Sequence, residues 1–437
     1  VEPLAEAILT VTLPNGMGRA LELSPHALLL VRIRLGPDHF PMIRFALFLI
    51  LSGQVSAAQP LPLPEETPWN LPVLKQVPDF QWLSQKGGVH SLAYAGEKYR
   101  GKPTRVFAYY SSPRTLGKDG DARVPAIVLV HGGGGAAFSK WVELWAKRGY
   151  AAIAMDLAGR GVGRRPLSDG GPDQGHEFKF KTIDEPVENQ WSYHAVANVV
   201  RAHSLLRSFT DVDEGNVALT GISWGGYLTC MVAGVDDRFK VAMPVYGCGF
   251  LRENSVWKAS EFGKMTEAQS DKWHRLWDPS RYIGSAKMPV IFLNGTNDFA
   301  YPMDSYARTC ALVQGEKNYS IQIRMRHGHI FDFPEFFGFV DQYLRAGTPM
   351  PVVARPVIKA GQLIVTVQSN TRLITANLHY TTGPHPENKT REWKSLPLNV
   401  DGLMIRGAAP PKEATVWYVD VQDERKFVVS SEVMGVR

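Results

Sequence analysis

The stretch with the strongest chemical content is Gly221-Ile222-Ser223-Trp224-Gly225-Gly226, set between an apolar, strand-like run (Asn216 to Thr220) and a helical stretch (Tyr227 to Val235). A G-x-S-x-G between strand and helix is the sequence of a nucleophile elbow, a turn so tight that the serine takes a strained backbone conformation and only glycine fits beside it. A serine hydroxyl is a poor nucleophile at neutral pH. It needs an imidazole to take its proton, and the imidazole needs a carboxylate to fix its tautomer. Two later stretches can supply them. The apolar run Pro289 to Leu293 leads into Asn294-Gly295-Thr296-Asn297-Asp298, and a strand-like run from Tyr319 to Met325 leads into Arg326-His327-Gly328-His329-Ile330. Asp298 is the expected acid and His329 the expected base, with His327 as the alternative base. Singly, these residues read as a turn former and a helix-entry residue; the order nucleophile, acid, histidine gives them a joint meaning.

Acyl transfer also builds negative charge on a carbonyl oxygen, which preorganised backbone N–H groups must meet. Val124 to Val130 reads as a buried strand ending in His131-Gly132-Gly133-Gly134-Gly135, where the main chain can approach a substrate closely. Gly133 and Trp224 are the expected oxyanion donors. Phosphate binding by this glycine loop is disfavoured, because the Lys-Ser/Thr pair of a P-loop does not follow it.

The stretches HGGGGAAFSKWVELWAKRGYAAIAMDLAGRG, WSYHAVANVVRAHSLLRS, GISWGGYLTCMVAGVDDRFKVAMPVYGCGF, NGTNDFAYPMDSY and RHGHI together resemble the secreted bacterial α/β-hydrolases of the acetylxylan esterase kind, relatives of the dienelactone hydrolase and prolyl oligopeptidase groups. The likeness covers most of Val124 to Ala346. It implies a triad of the serine of GISWGG, the aspartate of NGTND and the second histidine of HGH, here Ser223, Asp298 and His329. It further implies a serine esterase of small acyl esters, including acylated carbohydrate, working without metal or cofactor.

These residues must be held by a larger scaffold. A chain of 437 residues with 44% hydrophobic content is long and apolar enough for two or three cores. Residues 1–41 carry no sustained period. Met42-Ile43-Arg44, the apolar run Phe45 to Leu51 and the small residues Ser56, Ala57 and Ala58 have the layout of a secretory signal. The expectation is therefore a start at Met42, an upstream extension before it, a mature chain from near Gln59, and a secreted or periplasmic protein. The apolar run is too short for a permanent membrane span. Pro60 to Pro78 should run extended across a surface.

From Val89 onward, strand patterns (Val89 to Tyr94, Thr104 to Tyr110, Val124 to Val130, Tyr150 to Met155, Phe239 to Tyr246) are followed or separated by helical ones (Phe138 to Lys147, Trp191 to Phe209, Asp332 to Leu344). That rhythm predicts an α/β fold with a doubly wound, mostly parallel sheet over residues 59–346. Gly249 to Tyr282 breaks the rhythm and carries Trp257, Trp273, Trp277 and His274, as a small helical lid would; its tryptophans pack on the core or stack on sugar rings. Beyond the Gly347/Pro349/Pro351 linker the helices stop, and short strands between turns predict an all-β sandwich over 352–437 that either binds carbohydrate or braces the catalytic domain.

Other features carry less chemistry. Gly159, Gly161 and Gly163 lack the acidic partner of a dinucleotide fingerprint, and Asp173, His176 and Glu177 match no metal-ligand spacing. His194 is expected to cap a helix or sit in the core. Cys230, Cys248 and Cys310 permit at most one disulfide. The net charge of +6 is spread along the chain rather than clustered as nucleic-acid binding would require, and residues 1–58 contribute none of it, with four Lys+Arg and four Asp+Glu. The competing functions are a prolyl oligopeptidase-like peptidase, a general carboxylesterase, and a non-catalytic hydrolase-like binding protein. The peptidase groups carry a large propeller ahead of the hydrolase domain, and the stretch between Gln59 and the glycine loop is too short for one.

Overall fold

The computed structural model of the protein describes residues 59–118, 120, 122–383 and 388–435. The expected signal at 42–58 and the extension before it lie outside the described residues. The described residues belong to one compact unit.

Strands β1 (Phe80–Ser84), β2 (His90–Ala95) and β3 (Arg105–Ser111) pair antiparallel. Strand β3 then runs antiparallel to β5 (Ala151–Met155), which opens a parallel set of β4 (Val124–Val130), β6 (Val212–Ile222), β7 (Val241–Val245), β8 (Val290–Gly295) and β9 (Lys317–Gln322), in the order β1-β2-β3-β5-β4-β6-β7-β8-β9. Parallel strands need helices on both faces, so their residues are apolar throughout rather than alternating. Every residue of β5, β7 and β8 is accordingly buried. Helices Ser139–Lys147, Trp191–Arg207, Trp224–Val235, Met303–Leu312 and Pro334–Leu344 supply the cover. The helix after Ser223 is buried at every position. This is the doubly wound sheet the strand–helix rhythm predicts.

Past residue 351 the described chain is built of strands β10 (Val352–Val353), β11 (Val357–Lys359), β12 (Gln362–Gln368), β13 (Leu373–Thr382), β14 (Lys394–Pro397), β15 (Asn399–Asp401), β16 (Met404–Ala408), β17 (Ala414–Asp423) and β18 (Val428–Ser430), with one helical turn at Asn388–Thr390. One layer is β10-β12-β16-β15 with β11 on β12; the other is β18-β17-β13-β14. In β12, Leu363, Val365 and Val367 point inward and alternate with more exposed residues, the period-two pattern of a sheet with one buried face. The second layer joins the parallel sheet at its β9 edge, because Ser430 of β18 pairs antiparallel with Tyr319 of β9. Its Tyr418 hydroxyl also donates to the Ile321 carbonyl at 3.4 Å. An edge strand left open would invite pairing with other chains; here the C-terminal layer covers it.

Lid tryptophans Trp273 and Trp277 are fully buried and Trp257 is 5% exposed. Trp273 donates its ring N–H to the Lys179 carbonyl at 2.8 Å, and Trp277 donates to Gln190 Oε1 at 2.7 Å. Their indoles bind the lid to the core and offer no surface for a sugar. The three cysteines are free and buried. Among the described residues no helix is long and apolar enough to cross a membrane.

Candidate active site

Ser223 stands between β6 and its helix with φ 58° and ψ −118°, a left-handed conformation costly for any residue but glycine. Packing forces it. A Cβ added to Gly225 would lie 2.1 Å from the Val130 carbonyl oxygen, and one added to Gly221 would lie 2.3 Å from the Gly225 oxygen. Strand, turn and helix therefore meet at backbone contact, and the Ser223 amide donates to Val245 O at 3.0 Å. The serine side chain is lifted above the C-terminal ends of the parallel strands, where open α/β sheets bind their ligands.

Asp298 follows β8 and is 2% exposed. Its Oδ1 accepts the amides of Ala300 and Tyr301 at 2.9 and 2.8 Å, which turns Oδ2 toward His327 Nδ1, 2.7 Å away. The opposite ring nitrogen, His327 Nε2, lies 2.8 Å from Ser223 Oγ. With Nδ1–H committed to the carboxylate, Nε2 carries the lone pair that accepts the serine proton. A hydroxyl, an imidazole and a buried carboxylate in line can activate the oxygen and stabilise the imidazolium that results.

The expectation for the histidine is corrected here. His329, the residue that the resemblance points to, touches neither Ser223 nor Asp298. Its ring packs 5.1 Å from that of Phe138 and 6.5 Å from that of Trp141, centroid to centroid, and its Nε2 faces the glycine loop, 2.7 Å from where a Gly135 Cβ would stand. Burial pushes its pKa down. Both histidines lie on an irregular segment after β9, so a spacing of two assigns neither to a face. Tyr246 decides between them. Its ring stacks on His327 at 4.3 Å, and its hydroxyl donates to Gly328 O and accepts the Gly328 amide at 3.3 Å.

The glycine loop faces the elbow. Gly133 approaches Trp224 so closely that a Cβ would come within 2.8 Å of its indole. Trp224 opens its helix and so has no intrahelical acceptor for its N–H; neither this amide nor that of Gly133 finds an acceptor among the described residues. Behind the loop, His131 donates from Nδ1 to Gly132 O at 2.8 Å and accepts the Leu157 amide on Nε2 at 3.0 Å. Complete burial drives its pKa down to about 3, so it is a neutral strut. Arg164 donates to Gly134 O.

An aromatic wall closes one side. Trp257 packs 4.6 Å from Trp224 and 5.3 Å from Tyr301. Tyr301 is fully buried, and burial pushes its hydroxyl's pKa up. Beneath Trp224, the Lys179 ammonium lies 4.5 Å from its ring centroid and 4.6 Å from that of Trp191, and burial pushes its pKa down to about 7. The surface beside this wall is open. Phe299 is 54% exposed, stands 4.8 Å from His327 ring to ring, and forms part of a cavity of about 620 Å³ with Val256, Lys258, Pro302 and Asn388. The remaining candidates are structural: His194 is buried with Nε2 2.7 Å from Glu188 O, and Asp173 pairs with Arg160. Among the described residues no group of three His, Cys, Asp or Glu side chains could hold a metal ion.

Phe299 and Tyr301 both follow the acid within Asp298-Phe-Ala-Tyr-Pro, where their closeness to it is the only signal the sequence carries for them. Tyr246 carries no local signal, since its role depends on a loop 82 residues away.

Known proteins agree with this architecture. A sequence model of the prolyl oligopeptidase family matches residues 136–338. An uncharacterized peptidase, YuxL, of Bacillus subtilis (strain 168) is 22% identical over 200 residues, 43% of this chain but only 28% of that relative's length. Among solved structures, an acetyl xylan esterase from Paenibacillus sp. R4 superimposes with a TM-score of 0.54 at 21% identity, covering 65% of this chain and 97% of that one. Acetyl xylan esterase 1 from Thermoanaerobacterium sp. JW/SL YS485 gives 0.51 at 17% identity, covering 66% and 95%.

Proposed function

We propose that this chain, a serine hydrolase of the α/β-hydrolase superfamily, is an esterase that removes small acyl groups, acetyl above all, from carbohydrate alcohols. The observation that carries the reading is the unbroken line from Ser223 Oγ through His327 to Asp298, at 2.8 and 2.7 Å. In this reading Ser223 attacks the ester carbonyl as His327 Nε2 takes its proton. The oxyanion is met by the amides of Gly133 and Trp224, each such donor contributing typically about 100- to 1,000-fold in rate. His327 then gives the proton to the departing alcohol and next draws one from the water that frees the acyl-enzyme. Asp298, held by two backbone amides, keeps Nε2 as the acceptor.

The acyl preference rests on the wall of Trp224, Trp257 and Tyr301, which leaves little depth beside the nucleophile. The alcohol would leave toward the open side, where Phe299 offers the exposed aromatic face that the buried lid tryptophans do not. The two superimposing esterases support the same choice. Secretion, expected from residues 42–58, is part of the proposal.

A peptidase is the second reading, favoured by the prolyl oligopeptidase match over residues 136–338. A series of p-nitrophenyl esters from acetate to octanoate, run beside acetylated xylan and an aminoacyl p-nitroanilide, separates the two. Each methylene buried in an open apolar pocket would add about 0.8 kcal/mol, so kcat/KM would climb with chain length there and falls in a closed one. The esterase reading expects acetate to lead and xylan to release acetate. Octanoate ahead of acetate, or anilide cleavage outrunning both, would overturn it.

A further inference from the structure

Asp298 rides on a loop whose far side is held by the C-terminal β layers. Asn297 donates its side-chain amide to the carbonyls of Arg391, Lys389 and Asn388 at 2.7, 3.1 and 3.3 Å. Asn388 donates back, to Asp298 O at 2.9 Å and Thr296 O at 3.1 Å. Among the described residues its Oδ1 is buried without a partner. The network also reaches the segment that carries the histidine. The Arg324 amide donates to Thr296 Oγ1 at 3.0 Å, whose hydroxyl donates to Asn297 Oδ1 at 2.8 Å, and the Arg324 guanidinium contacts Arg391 O at 3.4 Å. Five side-chain–to–backbone bonds therefore join the acid loop to one turn, Asn388–Thr390 and the residue after it, about 90 residues further along the chain.

We propose that the C-terminal β domain is a positioning part of the catalytic centre: the reciprocal Asn297–Asn388 clamp sets the angle of the Asp298 carboxylate to His327. This rests on the triad reading above. A brace remote from the site could have been anchored anywhere along β9, whereas these bonds run from the Asn297 side chain and to the carbonyls of Thr296 and of the acid itself. Two backbone amides orient Oδ1 from within the loop. The clamp fixes the loop against the neighbouring β layer, and a shift of about 1 Å in a positioning element can cost about 100-fold in rate. Neither asparagine touches the reacting atoms, so both are positioning residues.

A double-mutant cycle tests this on the full chain. Turnover of p-nitrophenyl acetate is measured per mole of folded protein, checked by circular dichroism, for wild type, Asn388→Ala, Asp298→Asn and the double variant. Asn388→Ala should lower kcat about tenfold with KM within twofold, and should cost nothing further once Asp298 is Asn, because residues acting through one another are not additive. Asn297→Ala cuts the same clamp from the other side and should reproduce the loss; it replaces Asn388→Ala if that variant fails to fold. Unchanged kcat in the clamp variants with a dead Asp298→Asn overturns the inference alone, as does a loss that multiplies in the double variant. Full turnover in Asp298→Asn overturns the triad and the inference together.

Discussion

The two halves of the catalytic line are built by different physics. On the nucleophile side, Ser223 is held by backbone meeting backbone: glycines at 221 and 225 allow contacts that no side chain fits, the strand is buried from Val217 to Ile222, and the helix is buried throughout. On the acid–base side, Asp298 and His327 sit on loops; two amides of its own loop orient the Asp298 carboxylate, and side chains from elsewhere hold the loops, Tyr246 from the end of β7 and Asn388 from the C-terminal layers. The first half tolerates no change of shape. The second half depends on individual hydrogen bonds, so it should lose rate before it loses fold.

Substitutions can break that contrast from either side. The largest effect expected is at Gly225, where Ala would place a methyl 2.1 Å from the Val130 carbonyl oxygen. Strand β4 and the helix cannot both keep their places, so unfolding free energy should fall by about 3 kcal/mol or more, read from denaturant midpoints. A variant within about 0.5 kcal/mol of wild type, the range of an ordinary surface change, would mean that the elbow is not held by close packing. A smaller and different effect is expected from Tyr246→Phe, which removes the hydroxyl bonded to both polar groups of Gly328. Stability should drop by about 1 kcal/mol, while kcat falls about tenfold, equivalent to about 1.4 kcal/mol of barrier. Comparing the chemical midpoint with kcat checks it. A loss of stability with full turnover would make Tyr246 a packing residue and nothing more.

The same contrast explains what could be read from the sequence. The elbow, its glycines and strand β4 were legible because local sterics demand particular residue types at particular places. The parallel sheet was legible because its strands are continuous apolar runs. Asp298 was reachable through its place after β8. The choice between His327 and His329 was not, because the segment is irregular and the deciding stack and hydrogen bonds come from Tyr246. Nor was the clamp: nothing around Asn388 marks a turn that reaches Asp298. Strands β1, β11, β14 and β15 also escaped, being short, largely exposed and without sustained alternation, as did the two-residue β10. Lid tryptophans raised the possibility of sugar stacking; their indole N–H groups instead find core acceptors.

The central claim is that His327 is the base that activates Ser223, and organophosphate labelling followed by peptide mass mapping tests it most directly. In the wild type a single adduct should form on the peptide containing Ser223. His327→Ala should slow labelling by about 1,000-fold or more, as removal of a triad base does, whereas His329→Ala should stay within about tenfold, since it perturbs only the packing beside the glycine loop. Rapid labelling of Ser223 in His327→Ala together with its loss in His329→Ala, or an adduct on another residue, would contradict the account.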